Sequence, residues 1–204
     1  MDVSIISSLP AFTGLLRENM AHPEPAGGVN GLITGRLAGW ETGLLVWEAG
    51  ATYFPPELAP VQYIIGVGRV ETPVPYLKTP DILLSGEVHL EDGQVCASYD
   101  RLIDLALKSG EELAQALPGK VLVAQLWAEA PRGEAHPELF GVSRPQSRVA
   151  ALAWEQGIPF LSLNAVAAGG DDEGEGETAK KLFWMVKGTL ENLRICSPRA
   201  KPLE

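Results

Sequence analysis

Apolar positions recur along this chain in two rhythms, short unbroken runs and longer segments spaced at three to four residues, and the two alternate from end to end. Val3-Ser4-Ile5-Ile6 is a β-rich run. Ser7-Ser8-Leu9-Pro10 then turns the chain, and Phe12, Leu15 and Leu16 follow at helical spacing, which predicts strand, turn and helix. Pro23-Glu24-Pro25-Ala26-Gly27-Gly28 breaks any helix, and Gly31 to Gly35 with Gly39 to Trp47 read as two strands around an Ala38-Gly39 turn. Val61 to Val67 and Asp81 to Ser85 are continuous apolar runs of strand length, the pattern of strands covered on both faces.

The second half keeps the alternation. Tyr99 to Leu117 spaces Leu102, Ile103, Leu105, Ala106, Leu113 and Leu117 as a long helix, with Asp100 as its expected N-cap and Gly110 weakening its middle. Gly119 stops it, and Lys120 to Trp127 reads as another buried strand. Gln146 to Gln156 is a helix ended by Gly157, and Ile158 to Val166 is a strand. Gly169 to Thr178 is acidic and glycine-rich, which predicts a mobile surface loop; Ala179 to Leu193 closes as an amphipathic helix. Helices alternating with strands and no long linker predict one α/β domain over residues 1–196, a three-layer sandwich. Its mixed, mostly parallel central sheet is flanked by helices, and residues 197–204 form a tail.

Composition restricts the class further. The 204 residues carry 16 Lys+Arg against 26 Asp+Glu, a formal charge of −10, with 46% apolar residues, so a soluble domain is expected. A chain of this size buries about 70% of its unfolded surface and requires neither disulfides nor a structural metal. Cys96 and Cys196 lie far apart outside any C-x-x-C spacing and are read as reduced, buried thiols of a cytoplasmic protein. The apolar run from Val121 to Trp127 falls well short of the roughly 20 residues of a bilayer span, and no basic segment precedes an apolar stretch at the start. Without a Lys/Arg cluster, nucleic acid is not an expected partner.

Few residues carry chemistry on their own. Glu71, Glu87 and His89 fall near strand ends, and Glu87 and His89, two apart, would share one face of a strand as an acid–base pair or a solvated edge. His22 and His136 stand in His-Pro steps on predicted loops. Three histidines without mutual spacing form no metal site, and the Asp171, Asp172, Glu173, Glu175 and Glu177 run lacks the ligand order of a calcium loop. No metal or cofactor is expected. Of Trp40, Trp47, Trp127, Trp154 and Trp184, the last two lie on amphipathic helices and are expected in the core or at an interface. No G-x-S-x-G elbow surrounds Ser7 or Ser8, so a serine hydrolase is not read.

Order carries more than composition. MDVSIISSLPAFTGLLRE, GLITGRLAGWETGLLVWEAG, VQYIIGVGRVETPVPYLKTPDILLSGEV and RVAALAWEQGIPFLSLNAVA together resemble the purine nucleoside phosphorylase superfamily, and most closely its methylthioadenosine/S-adenosylhomocysteine nucleosidases. Gly35, Leu37, Gly39 and Gly50 fall in register, as do Ile64, Ile65, Gly68, Pro75, Leu77, Lys78, Asp81, Ser85, Glu87, Ala150, Pro159 and Phe160; Leu126 to Phe140 is shorter than its counterpart. The resemblance implies a nucleoside phosphorylase-like fold and a homo-oligomer, a dimer or larger.

It also implies a site, and there the residues depart. The family's first-loop carboxylate, which acts on the nucleophilic water, falls at Phe12. The carboxylate that assists the purine near N7 falls at Ala168, and a basic residue earlier in that segment falls at Asn164. The Met-Glu pair that grips the ribose falls at Arg144-Pro145. Gly68 is retained, but Arg69 replaces a small hydroxyl residue beside the anion or water site. Cleaving an N-ribosyl bond needs a stabilised oxocarbenium ion, an activated nucleophile and a protonated leaving base, and a general acid–base group is typically worth 10²–10⁴-fold. The expectation is therefore a nucleosidase-like protein without standard N-glycosidase activity and with no catalytic residue assigned. It would bind a small nucleoside-like or anionic ligand through Phe12, Gly68, Arg69, Arg144 and Asn164. For Arg69 and Arg144 the competing expectation is pairing with a nearby acid such as Glu71 or Glu138. Two rivals for the whole chain are an active purine nucleosidase or phosphorylase with a site rearranged around Arg69, Glu87, His89 or Arg144, and an oligomeric interaction protein whose pocket Phe12 fills.

Overall fold

A computed structural model of the protein describes residues 1–26, 31–47, 61–131, 139–167 and 175–196. In chain order the elements are β1 (Val3–Ser7), α1 (Pro10–Asn19), β2 (Ala21–Pro25), β3 (Leu32–Leu37), β4 (Trp40–Val46), β5 (Tyr63–Val70), β6 (Ile82–His89), β7 (Val95–Ala97), α2 (Asp100–Leu113), β8 (Val121–Trp127), β9 (Phe140–Val142), α3 (Arg144–Glu155), β10 (Phe160–Val166) and α4 (Glu175–Ile195). The strands form one sheet in the order β2-β3-β4-β1-β5-β10-β6-β8-β9, with β7 on β6. β1 runs parallel to β4 and β5, and β5 to β10; β6, β8 and β9 run parallel to one another and antiparallel to β10. This is the mixed, mostly parallel sheet the alternation predicts.

The central strands are unbroken apolar runs because both faces are covered. All seven residues of β10 are buried. Leu161, Leu163 and Ala165 join Phe12 of α1, Leu102 of α2 and Leu182 of α4 on one face, whereas Phe160 and Val166 join Val149, Ala150 and Ala153 of α3 on the other. Fully burying each such Val, Leu, Ile or Phe contributes about 1.5–3 kcal/mol, so these two layers hold the sheet between its helices.

The far half of the sheet curls. Just past β5, Glu71 exchanges backbone hydrogen bonds with Val142 of β9 (N to O, 3.0 and 2.7 Å). The Thr72 hydroxyl adds a bond to the Phe140 carbonyl at 2.7 Å. β5-β10-β6-β8-β9 therefore closes on itself, which brings the start of α3 over β5. The hairpin turn is at Ala38-Gly39 as expected, both with positive φ (52° and 83°), the conformation that glycine there allows.

Several expectations are corrected. Ala21–Pro25 is a fully exposed edge strand, with His22 in it at φ 54°; Pro23 and Pro25 lack N–H groups, which blunts that edge. β7 and β9 are too short to show a periodicity. Tyr99, not Asp100, is the N-cap of α2, and the helix ends at Leu113. α3 begins at Arg144, and α4 already at Glu175, so the second half of the acidic segment is helix, its Glu175 and Glu177 set favourably at the positive end of the dipole. Cys96 is buried but Cys196 is exposed, because α4 has run past the core by that point. Of the two places expected for Trp154 and Trp184, the core is excluded: they are 49% and 45% exposed. Gly27, Gly28, Gly50, His136, Glu138, Ala168, Asp171, Asp172, Glu173 and the tail lie outside the described residues.

Candidate functional site

The first βα turn is fixed by its serine. Ser7 Oγ accepts the Leu9 N–H at 3.1 Å, Ser8 donates its N–H to Val67 O at 3.2 Å, and Trp47 donates to Ser7 O at 2.8 Å. Pro10 then opens α1, and two residues on Phe12 turns wholly into the core, fully buried against the α1/α2/α4 layer. A benzyl group there moves no proton.

Gly68 lies beneath a side chain that sequence reasoning missed. The Gln146 carboxamide of α3 runs across β5, so closely that a Cβ on Gly66 would lie 2.3 Å from its Oε1 and one on Gly68 2.4 Å from its Nε2. From Gln146 a neutral, buried network continues: Ser162 Oγ donates to Gln146 Oε1 at 3.1 Å, and Asn164 Nδ2 lies 3.1 Å from both Ser162 Oγ and Ser85 Oγ and 3.2 Å from Leu83 O. Asn164 is thus fully enclosed, its amide spanning β10 and β6. The hint in the sequence is complementarity. Small residues at Gly66, Gly68 and Ser162 leave a groove on one face of adjacent strands, and a long polar residue on the covering helix fills it.

The two arginines do not share a partner. Arg69, at the end of β5, pairs with Glu175 at the start of α4 at 2.8 Å. Arg144, opening α3, pairs with Glu91 at 2.8 Å and with Glu129. Each arginine pairs with a glutamate, the kind of partner the competing sequence reading expects; Glu71 is not that partner but sits in the β9 bridge, Glu138 lies outside the described residues, and the sheet's curl brings Glu91 and Glu129 to Arg144. Both arginines are 53% exposed on their side chains, so screening keeps each pair to about 1 kcal/mol or less, and a ligand anion would displace the carboxylate at small cost.

Glu87 and His89 do share a face of β6. Their Oε2 and Nε2 stand 3.8 Å apart, beyond hydrogen-bond range; Glu87 Oε2 instead accepts Gln125 Nε2 at 3.3 Å. The His89 ring stacks flat on Trp127 of β8, with centroids 3.9 Å apart and planes 2° from parallel, and both His89 Nε2 and Trp127 Nε1 are buried without a hydrogen-bond partner.

A last polar cluster supports the sheet's opposite end. Asp81 is buried and its two carboxylate oxygens accept the backbone N–H groups of Lys78 (3.0 Å) and Lys120 (2.6 Å). The buried Lys181 of α4 donates to the carbonyls of Pro118 (2.9 Å) and Gly119 (2.6 Å). Burial pushes its pKa below the ordinary lysine range, opposed by the nearby Asp81 carboxylate. Among the described residues no three His, Cys, Asp or Glu side chains converge as metal ligands, and no helix is long and apolar enough to cross a membrane.

No family model matches the chain, and no curated protein matches it in sequence. Solved structures do. A methylthioadenosine/S-adenosylhomocysteine nucleosidase from Colwellia psychrerythraea 34H, in complex with adenine, superposes with a TM-score of 0.75 at 19% identity, over 95% of this chain and 96% of that one. The corresponding nucleosidase from Neisseria meningitidis, in complex with methylthio-immucillin-A, gives 0.75 at 19% identity over 94% and 99%. A futalosine hydrolase mutant from Helicobacter pylori gives 0.72 at 16% over 94% and 99%. At such identities the likeness shows the fold, and the fold is that of the nucleosidases.

Proposed function

We propose that this chain, built on a nucleosidase fold, is a cytoplasmic homo-oligomer that binds a small nucleoside-like or anionic ligand without standard N-glycosidase activity. The observation that carries the reading is Phe12. Where the family resemblance expects a carboxylate to act on water, this chain has an aromatic ring with no exposed surface, packed into the core. Pro145 at the expected ribose-gripping carboxylate and the neutral Ser85–Asn164–Ser162–Gln146 network at the expected basic residue point the same way. Such a site would neither activate a nucleophile nor protonate a leaving base.

Binding would fall to Arg69 and Arg144, whose exposed guanidinium groups suit a phosphate or carboxylate. A thermal-shift screen of nucleosides, nucleotides and small carboxylates tests this. A ligand at 100 times its Kd stabilises the fold by about 2.7 kcal/mol, and Arg69→Ala should abolish that shift. No shift with any of them would favour the interaction-protein reading instead. One arrangement favours a second reading, an active enzyme with a displaced site: Glu87 held by Gln125 next to a His89 fixed against Trp127.

A further inference from the structure

Ile65 and Val67 of β5 point into the α1/α2/α4 layer, and Arg69, next in that alternation, sends its guanidinium to the same side of the sheet, where α4 begins. There its Nη2 meets Oε1 of Glu175 at 2.8 Å. The guanidinium is half-exposed and has no other partner among the described residues, so an anion from solution reaches the donors that Glu175 now faces. Guanidinium groups take carboxylates and phosphates through the same planar fork. The chain's own carboxylate thus stands where a ligand's oxyanion would stand.

Little holds that carboxylate in place besides the arginine. Glu175 opens its helix, Gly176 after it has open space around its α-carbon, and Glu177 is exposed. Swinging the side chain away therefore breaks no packing in the core. A second oxyanion on Arg69 requires such a swing, because two like charges within a few ångströms repel each other and the donors serve one of them at a time.

We propose that Glu175 is an internal competitor for the oxyanion site of Arg69: its carboxylate covers the guanidinium in the free protein and leaves when the carboxylate or phosphate group of a ligand binds. The inference rests on the anion-binding role proposed above for Arg69 and adds how that binding is restrained. The apparent affinity of a ligand falls with the fraction of molecules whose site is open. An exposed ion pair shifts that fraction only a few-fold. Glu175→Gln keeps the size and removes the charge, and should tighten anion binding roughly two- to fivefold.

Inorganic phosphate and succinate, titrated separately into the full chain at low ionic strength and followed by calorimetry, test it. Whichever anion binds should bind tighter to Glu175→Gln, and Arg69→Ala should lose it with or without that change. Glu177→Gln removes an equal charge from the same turn, at a position with no ion pair among the described residues, and should alter the affinity less. Equal tightening by Glu177→Gln would reduce the effect to net charge and overturn the proposal. Binding that Glu175→Gln leaves unchanged or weakens would also overturn it, with the anion-binding role of Arg69 left standing. If neither anion binds the parent or Glu175→Gln, or if binding survives Arg69→Ala, both the competitor and that role are overturned.

Discussion

Gln146 of α3 lies against the α-carbon of Gly68 on β5, close enough that a methyl group added to that glycine would stand 2.4 Å from the amide nitrogen. Its carboxamide also accepts from Ser162, so it has little freedom to withdraw. Gly68→Ala should therefore destabilise the fold by about 1–3 kcal/mol through overpacking. The midpoint of urea unfolding measures it, and adding Gln146→Ala should relieve much of the loss. Full additivity of the two substitutions would contradict the contact.

Asn164 is the hub of the buried network, reaching Leu83, Ser85 and Ser162. Asn164→Leu, similar in size, should cost about 1–3 kcal/mol because it strands the Ser85 hydroxyl and the Leu83 carbonyl in a dry interior. Asn164→Leu combined with Ser85→Ala and Ser162→Ala should recover part of that in the same unfolding assay.

Arg69 and Glu175 form a half-exposed pair, and neither should matter much to stability. Arg69→Ala and Glu175→Ala should each shift unfolding by less than about 1 kcal/mol, with the effect shrinking further in high salt. A larger loss would mark the pair as structural and weaken its claim to a ligand.

Two buried groups give opposite alkaline responses. Burial lowers the Lys181 pKa, so between that depressed value and the ordinary lysine value the unfolded chain holds a proton the folded one does not, and stability rises with pH there. Burial, reinforced by Asp92 and Glu155, raises the Cys96 pKa; above the ordinary thiol value the unfolded chain loses a proton that the folded one keeps, and stability falls as pH rises. Urea midpoints from about pH 8 to about pH 10.5 should fall less steeply, or rise, in Cys96→Ala than in the parent. Identical slopes would contradict the assignment.

The strands covered on both faces were legible in the sequence because such burial leaves apolar runs: β1, β5, β6 and β10 are rich in Val, Ile and Leu, and the helices carry one apolar stripe each, whereas β8, read as a buried strand, buries only Ala124 and Leu126 and leaves Val123 41% exposed. β2, β7 and β9 were not, since the first is wholly exposed with two prolines and the other two span three residues each. At the site, arginines seeking acids could be anticipated, but not which acids. Glu175, Glu91 and Glu129 reach Arg69 and Arg144 only through the packing of α4 on α1, α2 and β10 and the closure of Glu71 onto Val142. Gln146 escaped notice because its role is set by two glycines on a strand eighty residues away in sequence.

The central proposal is that this chain, on a nucleosidase fold, does not cleave N-ribosyl bonds. Incubating the purified protein with methylthioadenosine, adenosylhomocysteine, inosine and adenosine, with and without phosphate, and following free purine by chromatography measures it directly. The account predicts no release above that of a blank; steady release with multiple turnovers, lost in Glu87→Gln, would contradict it and place the chemistry at Glu87 and His89.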